Sequence, residues 1–494
     1  MYNYIKLSNM SAYTDLHLNY INGKWREGSG EESISLTNPY SGEELLSLTG
    51  ASTADVDDAY AAARTAQQKW KQQLPTQIRN IFDRAAAIMQ DRKGEITEWI
   101  RKESGGTLAK AETEFLITLE GLRVAAGYPY EVEGRIFPSL IPGKESRMYR
   151  QPVGVIGIIS PWNFASNLSM RSVAPAIATG NAVVLKPSEQ TLVTGGTLIA
   201  KIFEEAGLPG GVLNVVVGSG SSIGDHLVGH ETPKVISFTG STPVGRGIAE
   251  IAAKQFKKLS LELGGNNAQI ILDDAPIDRA VDATVFGKFM HQGQICMGIN
   301  RILVAESIAE EFTRKFVEKV RRLRVGDQMD DATEVGPVIN EKQRDNITEL
   351  IDKALEEGAV AETEYRVDGN VIHPLVLSGV TNDMSVARNE VFGPVAPIIT
   401  FADDEEAIRL ANDTELGLSG GVHSASTERA LSVARRLETG MVHINDQPVN
   451  DDANAVFGGM KSSGLGRFNG DFVKEEFTTT QWVTVQHEAR EYAM

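Results

Sequence analysis

From residue 153 onward the chain alternates short, wholly apolar runs with helix-length segments that stop at glycine. Residues 153–159, 182–186, 212–217 and 235–238 read as buried strands. Between them, 167–179 and 191–206 read as helices ending at Gly180 and Gly207, which suit left-handed C-terminal caps. Strands and helices at this spacing predict a parallel sheet covered by helices on both faces, an α/β fold. After Gly265 a second α/β unit begins, with helices near 277–290 and 306–323 and strands at 394–401 and 441–444.

The part before residue 125 reads as helices at 53–72 and 76–102 joined to short strands. Tyr20 to Trp25 reads as a hairpin turning at Asn22-Gly23. Residues 1–15, which include an alternative start at Met10, are polar and read as a mobile end. The tail segment Trp482-Val483-Thr484-Val485 alternates like a strand and predicts pairing with another sheet, a second subunit being one source. A chain of 494 residues exceeds one small core, so two or three domains are expected.

Composition narrows the functional classes. Hydrophobic content of 41% and charged content of 23% are ordinary for a soluble globular protein. The net charge of −18 repels phosphate backbones and argues against nucleic-acid binding. No apolar run is long enough to cross a bilayer, and Asn3, Lys6, Ser8 and Asn9 leave no apolar core for a secretory signal. One cysteine excludes an intramolecular disulfide and suits a cytoplasmic setting. The eight histidines are scattered, without zinc spacing, so no metal is expected.

That one cysteine, Cys296, sits in Gln292-Gly293-Gln294-Ile295-Cys296. Glu262 lies 34 residues earlier, in Glu262-Leu263-Gly264-Gly265. A thiol attacks a carbonyl, and a carboxylate activates water to release the acyl group. Taken singly, each has a blander meaning. A lone cysteine is more often a small buried hydrophobe, and a glutamate beside glycines is often solvent-exposed. Asn163, after Pro161-Trp162, fits a turn.

A dinucleotide site is the second chemical signal. In Phe238-Thr239-Gly240-Ser241-Thr242-Pro243-Val244-Gly245 a strand runs into a helix, with Pro243 suited to its first turn. Val244, Ile248, Ile251, Ala252 and Phe256 share one face of that helix. Free amides at such a start attract a pyrophosphate, Ser241 or Thr242 suits the cap, and Gly240 and Gly245 allow close approach. The pattern is not the G-x-G-x-x-G fingerprint. Lys186-Pro187-Ser188-Glu189 ends the second strand, where ligands collect in doubly wound sheets. Lys186 and Glu189 there suit the adenosine ribose, and the carboxylate disfavours a 2′-phosphate, so NAD is favoured with NADP left open.

Seven motifs in order resemble the aldehyde dehydrogenase superfamily. They are Pro161-Trp162-Asn163-Phe164, Lys186 to Glu189, Phe238 to Thr242, Glu262 to Gly265, Gly293 to Cys296, Glu390-Val391-Phe392-Gly393-Pro394, and Phe457-Gly458-Gly459 followed by Gly464 and Gly466. The resemblance implies a Rossmann-like NAD(P)-binding domain over 15–130 and 152–263. It also implies an α/β catalytic domain over 264–470 and a β-strand oligomerisation arm from 131–151 and 471–494. It implies a homodimer or homotetramer acting on a small aldehyde. By motif, Cys296 is the nucleophile, Glu262 the general base and Asn163 the oxyanion donor. Glu390 and Phe392 flank the nicotinamide ribose, and Pro161, Trp162, Leu263 and Gly264 join the cofactor set.

The segment His291 to Met297 is also similar to the benzaldehyde and vanillin dehydrogenase branch. The expected substrate pocket is Phe164, Asn167, Arg171, Ile295, Met297 and Phe457. Asn167 and Arg171 are four apart on one helical face, where a surface polar pair is the competing reading. Many hydrolytic relatives carry a relay glutamate where this chain has Phe468 and a lysine where it has Ser172, which leaves the proton path open. Three other readings stand beside aromatic aldehyde oxidation: an aliphatic or semialdehyde dehydrogenase, a CoA-acylating dehydrogenase, and a non-catalytic NAD-binding protein.

Overall fold

The computed structural model describes residues 12–492. The expected mobile end therefore lies mostly outside the described residues, Met10 included. Two mainly parallel sheets with antiparallel edge strands form the centre. The first has eight strands, in the spatial order Lys24–Arg26, Asn19–Ile21, Leu213–Val215, Ala182–Lys186, Val155–Ile159, Val235–Thr239, Lys258–Glu262 and Gly464–Leu465. Its five parallel strands place the first in chain order, Val155–Ile159, between the second and the fourth. The strand order reverses there, and a crevice opens at the carboxyl ends. The hairpin turns at Asn22 and Gly23, both left-handed, with Tyr20 opposite Trp25.

Helices cover both faces. Ala165–Ala178 is buried along its whole length, and Thr53–Trp70 packs on the other side of the Ala182–Lys186 strand. The α/β class follows from this burial: strands closed in on both sides must be apolar throughout. Phe82, Phe115 and Phe203 fill the adjoining helical core, each contributing about 1.5–3 kcal/mol by burial. The second sheet has seven strands, with Ile299–Ala305 and Asn267–Ile271 at its centre. Gly464–Leu465 returns from the second unit to pair with Lys258–Glu262.

Several expected elements differ in detail. The helix read over 76–102 is two, Pro75–Asp91 and Lys93–Ser104, broken at Arg92. The Arg92 guanidinium holds Glu95 at 2.8 Å and Glu205 at 3.3 Å, anchoring the bend. The helix read over 191–206 is regular only over Leu198–Glu205. Upstream, Val193–Thr197 is a wide π turn, because the buried carboxylate of Glu103 takes the amides of Val193 and Thr194. The strand at 441–444 shortens to His443–Ile444.

The tail strand, Thr478–Gln486, finds its partner within the same chain. It pairs antiparallel with Lys144–Pro152, which pairs in turn with Arg135–Pro138. Ile136, Leu140 and Trp482 on these segments are exposed. Among the described residues, no helix is long and apolar enough to cross a membrane, and no group of side chains has the makings of a metal site.

Candidate active site

Four motifs converge on the crevice because each ends a strand of the first sheet. Val155–Ile159 leads into Pro161-Trp162-Asn163, and Ala182–Lys186 into Ser188 and Glu189. Val235–Thr239 leads into Gly240 and Ser241, and Lys258–Glu262 into Leu263 and Gly264. Ser241 caps the helix Thr242–Ala253, and its side chain makes no cap hydrogen bond. The amides at that helix start therefore remain available to an anion. The helix face differs from expectation. Gly245, Ile248 and Ala252 turn inward, whereas Val244 is exposed at the crevice and Phe256 lies past the helix end at positive φ. A Cβ on Gly245 would come within 2.5 Å of Leu263, so this glycine admits Leu263 rather than a ligand.

Lys186 is buried, and burial lowers its pKa below that of free lysine, with Glu189 opposing. Among the described residues its ammonium meets only the Pro187 carbonyl at 3.3 Å and the Glu189 carboxylate at 3.7 Å, so donor capacity is left over. The Ser188 hydroxyl accepts from the Gln190 amide and keeps its proton to donate. These groups fit a dinucleotide ribose and pyrophosphate.

Across the crevice, burial raises the Glu390 carboxyl to about 7, and the Gly265 amide donates to it at 3.2 Å. Phe392, at φ +50, sets its ring edge-on to Trp162, 5.5 Å between centroids. Leu263 and Gly264 are held by Ser463, whose carbonyl accepts from the Leu263 amide and whose hydroxyl donates to the Gly264 carbonyl.

The cysteine loop is held under backbone strain. His291, Gln292 and Gly293 all have positive φ, a conformation costing about 1–2 kcal/mol for a residue with a Cβ. Gln292 Nε2 offsets it by donating to the carbonyls of Gly105 and Pro337, each at 2.8 Å. Asn267 donates to the Cys296 carbonyl at 2.7 Å and to that of Gly298 at 2.8 Å. A Cβ on Gly265 would come within 2.3 Å of the Cys296 carbonyl, so only glycine lets these two loops meet. Asn163 spends one N–H on the Gln294 carbonyl at 2.9 Å and keeps the other.

Electrostatics set the resting state. Burial raises the Cys296 thiol to about 12, with Glu262 and Glu390 adding and Arg171 opposing. Burial raises Glu262 to about 8, with Arg171 and Arg467 opposing and Asp451 adding. Glu262 is 2% exposed, and neither carboxylate oxygen has a hydrogen-bond partner among the described residues.

The thiol opens onto a cavity of about 210 Å³ lined by Asn163, Phe164, Asn167, Arg171, Ile295, Met297 and Phe457, all expected, and by Phe286, Met290 and Asp451, which were not. Asn167 and Arg171 are buried rather than a surface pair. Both donate to Asp451, Asn167 at 2.9 Å, and Asn469 donates to its other oxygen at 2.8 Å. The Arg171 guanidinium lies 3.9 Å over the Phe457 ring, and its Nη1 has no hydrogen-bond partner among the described residues. Asp451 carried no sequence signal, because it lies in a polar loop that resembles a linker. Glu262 is not among the walls of this cavity.

The chain matches the model of the aldehyde dehydrogenase family over residues 25–483. It is 48% identical to a benzaldehyde dehydrogenase of Bacillus subtilis, over 98% of this chain and 100% of that one. It is also 48% identical to a vanillin dehydrogenase of Corynebacterium glutamicum, over 96% and 99%. The crystal structure of an NAD-dependent benzaldehyde dehydrogenase from Corynebacterium glutamicum superposes with a TM-score of 0.89 at 45% identity, covering 96% of this chain and 100% of that one.

Proposed function

The chain belongs to the aldehyde dehydrogenase family, and from that footing we propose that it oxidises aromatic aldehydes to carboxylic acids with NAD⁺. The observation that carries the aromatic reading is the narrow cavity at Cys296, walled by Phe164, Phe286 and Phe457, with Arg171 Nη1 unpartnered on its wall. Phenyl rings suit those walls, and a ring oxygen suits the free N–H. The names of the similar proteins support the same substrates.

The Cys296 thiol releases its proton to water in the cavity it lines, its sulfur attacks the aldehyde carbon, and the second N–H of Asn163 with the Cys296 amide holds the oxygen that becomes negative. Losing one such donor costs about 3–4 kcal/mol in comparable sites. Trp162, Phe392 and Glu390 would hold the nicotinamide, which would supply the hydride acceptor. Glu262 then takes a proton from water, which frees the acid from the sulfur. A buried, unpartnered carboxylate suits that step, and transfer to CoA does not need it.

Residues 15–130 and 152–263 serve the cofactor, and 264–470 carry the thiol. The arms 131–151 and 471–494, with exposed Ile136, Leu140 and Trp482, suit assembly into a homodimer or homotetramer in the cytoplasm. Steady-state kinetics without CoA over benzaldehyde, vanillin, hexanal and succinate semialdehyde test the substrate. Both aromatic aldehydes are expected to have the higher kcat/KM, and hexanal ranking above them defeats the aromatic reading.

Cofactor choice is a separate test. Glu189 stands half-exposed beside Lys186, where a 2′-phosphate would meet like charge. NADP⁺ is expected to bind at least about tenfold more weakly than NAD⁺ by fluorescence titration. Tighter binding of NADP⁺ contradicts this.

A further inference from the structure

We propose that a buried polar passage on one face of the first sheet, from Glu262 past Ser260 to Glu476, carries to solvent the proton that Glu262 takes from water. The proposal rests on the hydrolytic reading above. Glu262 ends each deacylation protonated and must lose that proton before the next. It does not line the substrate cavity.

Ser260 precedes Glu262 by two residues in one strand, so both side chains leave the same face. Both are buried, and among the described residues neither the Ser260 hydroxyl nor either Glu262 oxygen has a partner. The neighbouring strand runs antiparallel, with Leu261 opposite Leu465 and Glu262 opposite Gly464. Gly466 follows directly, past the strand end at φ +83. A Cβ on Gly466 would come 3.0–3.2 Å from the carboxylate of Glu476, and the ion pair of that carboxylate with Lys258, two residues before Ser260, places it on the same face of the strand.

Glu476 is 9% exposed and comes from the helix Phe472–Phe477. Its Oε1 accepts from the Arg467 amide at 3.4 Å. Its Oε2 is ion-paired at 3.1 Å with Lys258, whose exposed side chain starts the same strand and marks the outer end of the passage. On the other flank Ser237 sits in register with Ser260, and its hydroxyl lies 3.0 Å from that of Ser172. Buried polar atoms without a protein partner ordinarily hold water. Side chains two apart on a strand are about 7 Å apart, a gap that one water bridges.

Only O–H bonds change along the route. Glu262 gives its proton to the bridging water, which passes one to Ser260. The Ser260 hydroxyl accepts it and releases its own toward the Glu476 carboxylate, and Glu476 discharges to solvent beside Lys258. Glu262 is left as the carboxylate.

Stopped-flow NADH formation with benzaldehyde tests the route in Glu476→Gln, Ser260→Ala and Ser260→Thr. In the first two, the burst should keep the wild-type rate while steady-state turnover falls about tenfold. Their solvent deuterium effect on kcat should rise. Ser260→Thr, which keeps a hydroxyl, should turn over like the wild type. The burst amplitude counts folded sites, so rates are read per site, and the Ser260 pair decides if Glu476→Gln folds poorly. Unchanged turnover in Ser260→Ala and in folded Glu476→Gln overturns the route, as does a burst slowed in parallel. Absence of aldehyde oxidation by the wild type would instead defeat the dehydrogenase reading.

Discussion

Replacing Cys296 by alanine is expected to remove aldehyde oxidation by about 10⁴-fold or more in kcat, whatever the aldehyde, because no other group in the cavity forms a thioester. Asn163, Arg171 and Asp451 on its walls are an amide, a paired cation and a paired carboxylate. The fold should survive. The side chain is small and partly exposed, and the clamp on this loop uses the Cys296 carbonyl, which alanine keeps. Stability should fall by about 1 kcal/mol or less, read as a small change in Tm. NAD⁺ should still quench the fluorescence of Trp162 and its neighbours. Residual oxidation above about one per cent of wild type would show that the sulfur is not the acyl carrier.

Glu262→Gln has the second large effect, and it falls on one half of the cycle. Acylation needs the thiol and the oxyanion donors, so a burst of NADH should appear at full amplitude. Deacylation needs a base, so steady turnover should fall by about 10²–10⁴-fold. The pH dependence has a definite sign. Burial disfavours the Glu262 carboxylate and raises it to about 8, so the basic form gains as pH rises through that value. Wild-type kcat should climb there and the variant should lose the climb. The same carboxylate raises the thiol, so above pH 8 the variant's Cys296 should react faster with iodoacetamide. A burst slowed as much as the turnover would argue against a purely hydrolytic role.

The parallel sheet was legible because strands buried on both faces must be apolar throughout, a local and unambiguous signal. Asn163, Glu262 and Cys296 were legible through their flanking motifs, and the structure brings them to one crevice because each motif ends or precedes a strand. Two helices were misjudged for a non-local reason. The Arg92 break and the Val193–Thr197 turn depend on Glu205 and Glu103, which lie far away in sequence. The tail strand was read correctly as a strand, but its partner, Lys144–Pro152, lies more than three hundred residues upstream.

The site divides in the same way. Periodicity and motif order were enough to specify the α/β architecture, the thiol, the carboxylate and the nucleotide-type turn, since backbone preference and local chemistry act over a few residues. Only tertiary packing decided that Asp451 would gather Asn167, Arg171 and Asn469, that Glu476 would fill the space beside Gly466, and that Glu262 would be buried without a partner. Those outcomes depend on desolvation and on hydrogen bonds between segments that meet only when the chain closes, and no spacing along the chain encodes such a meeting.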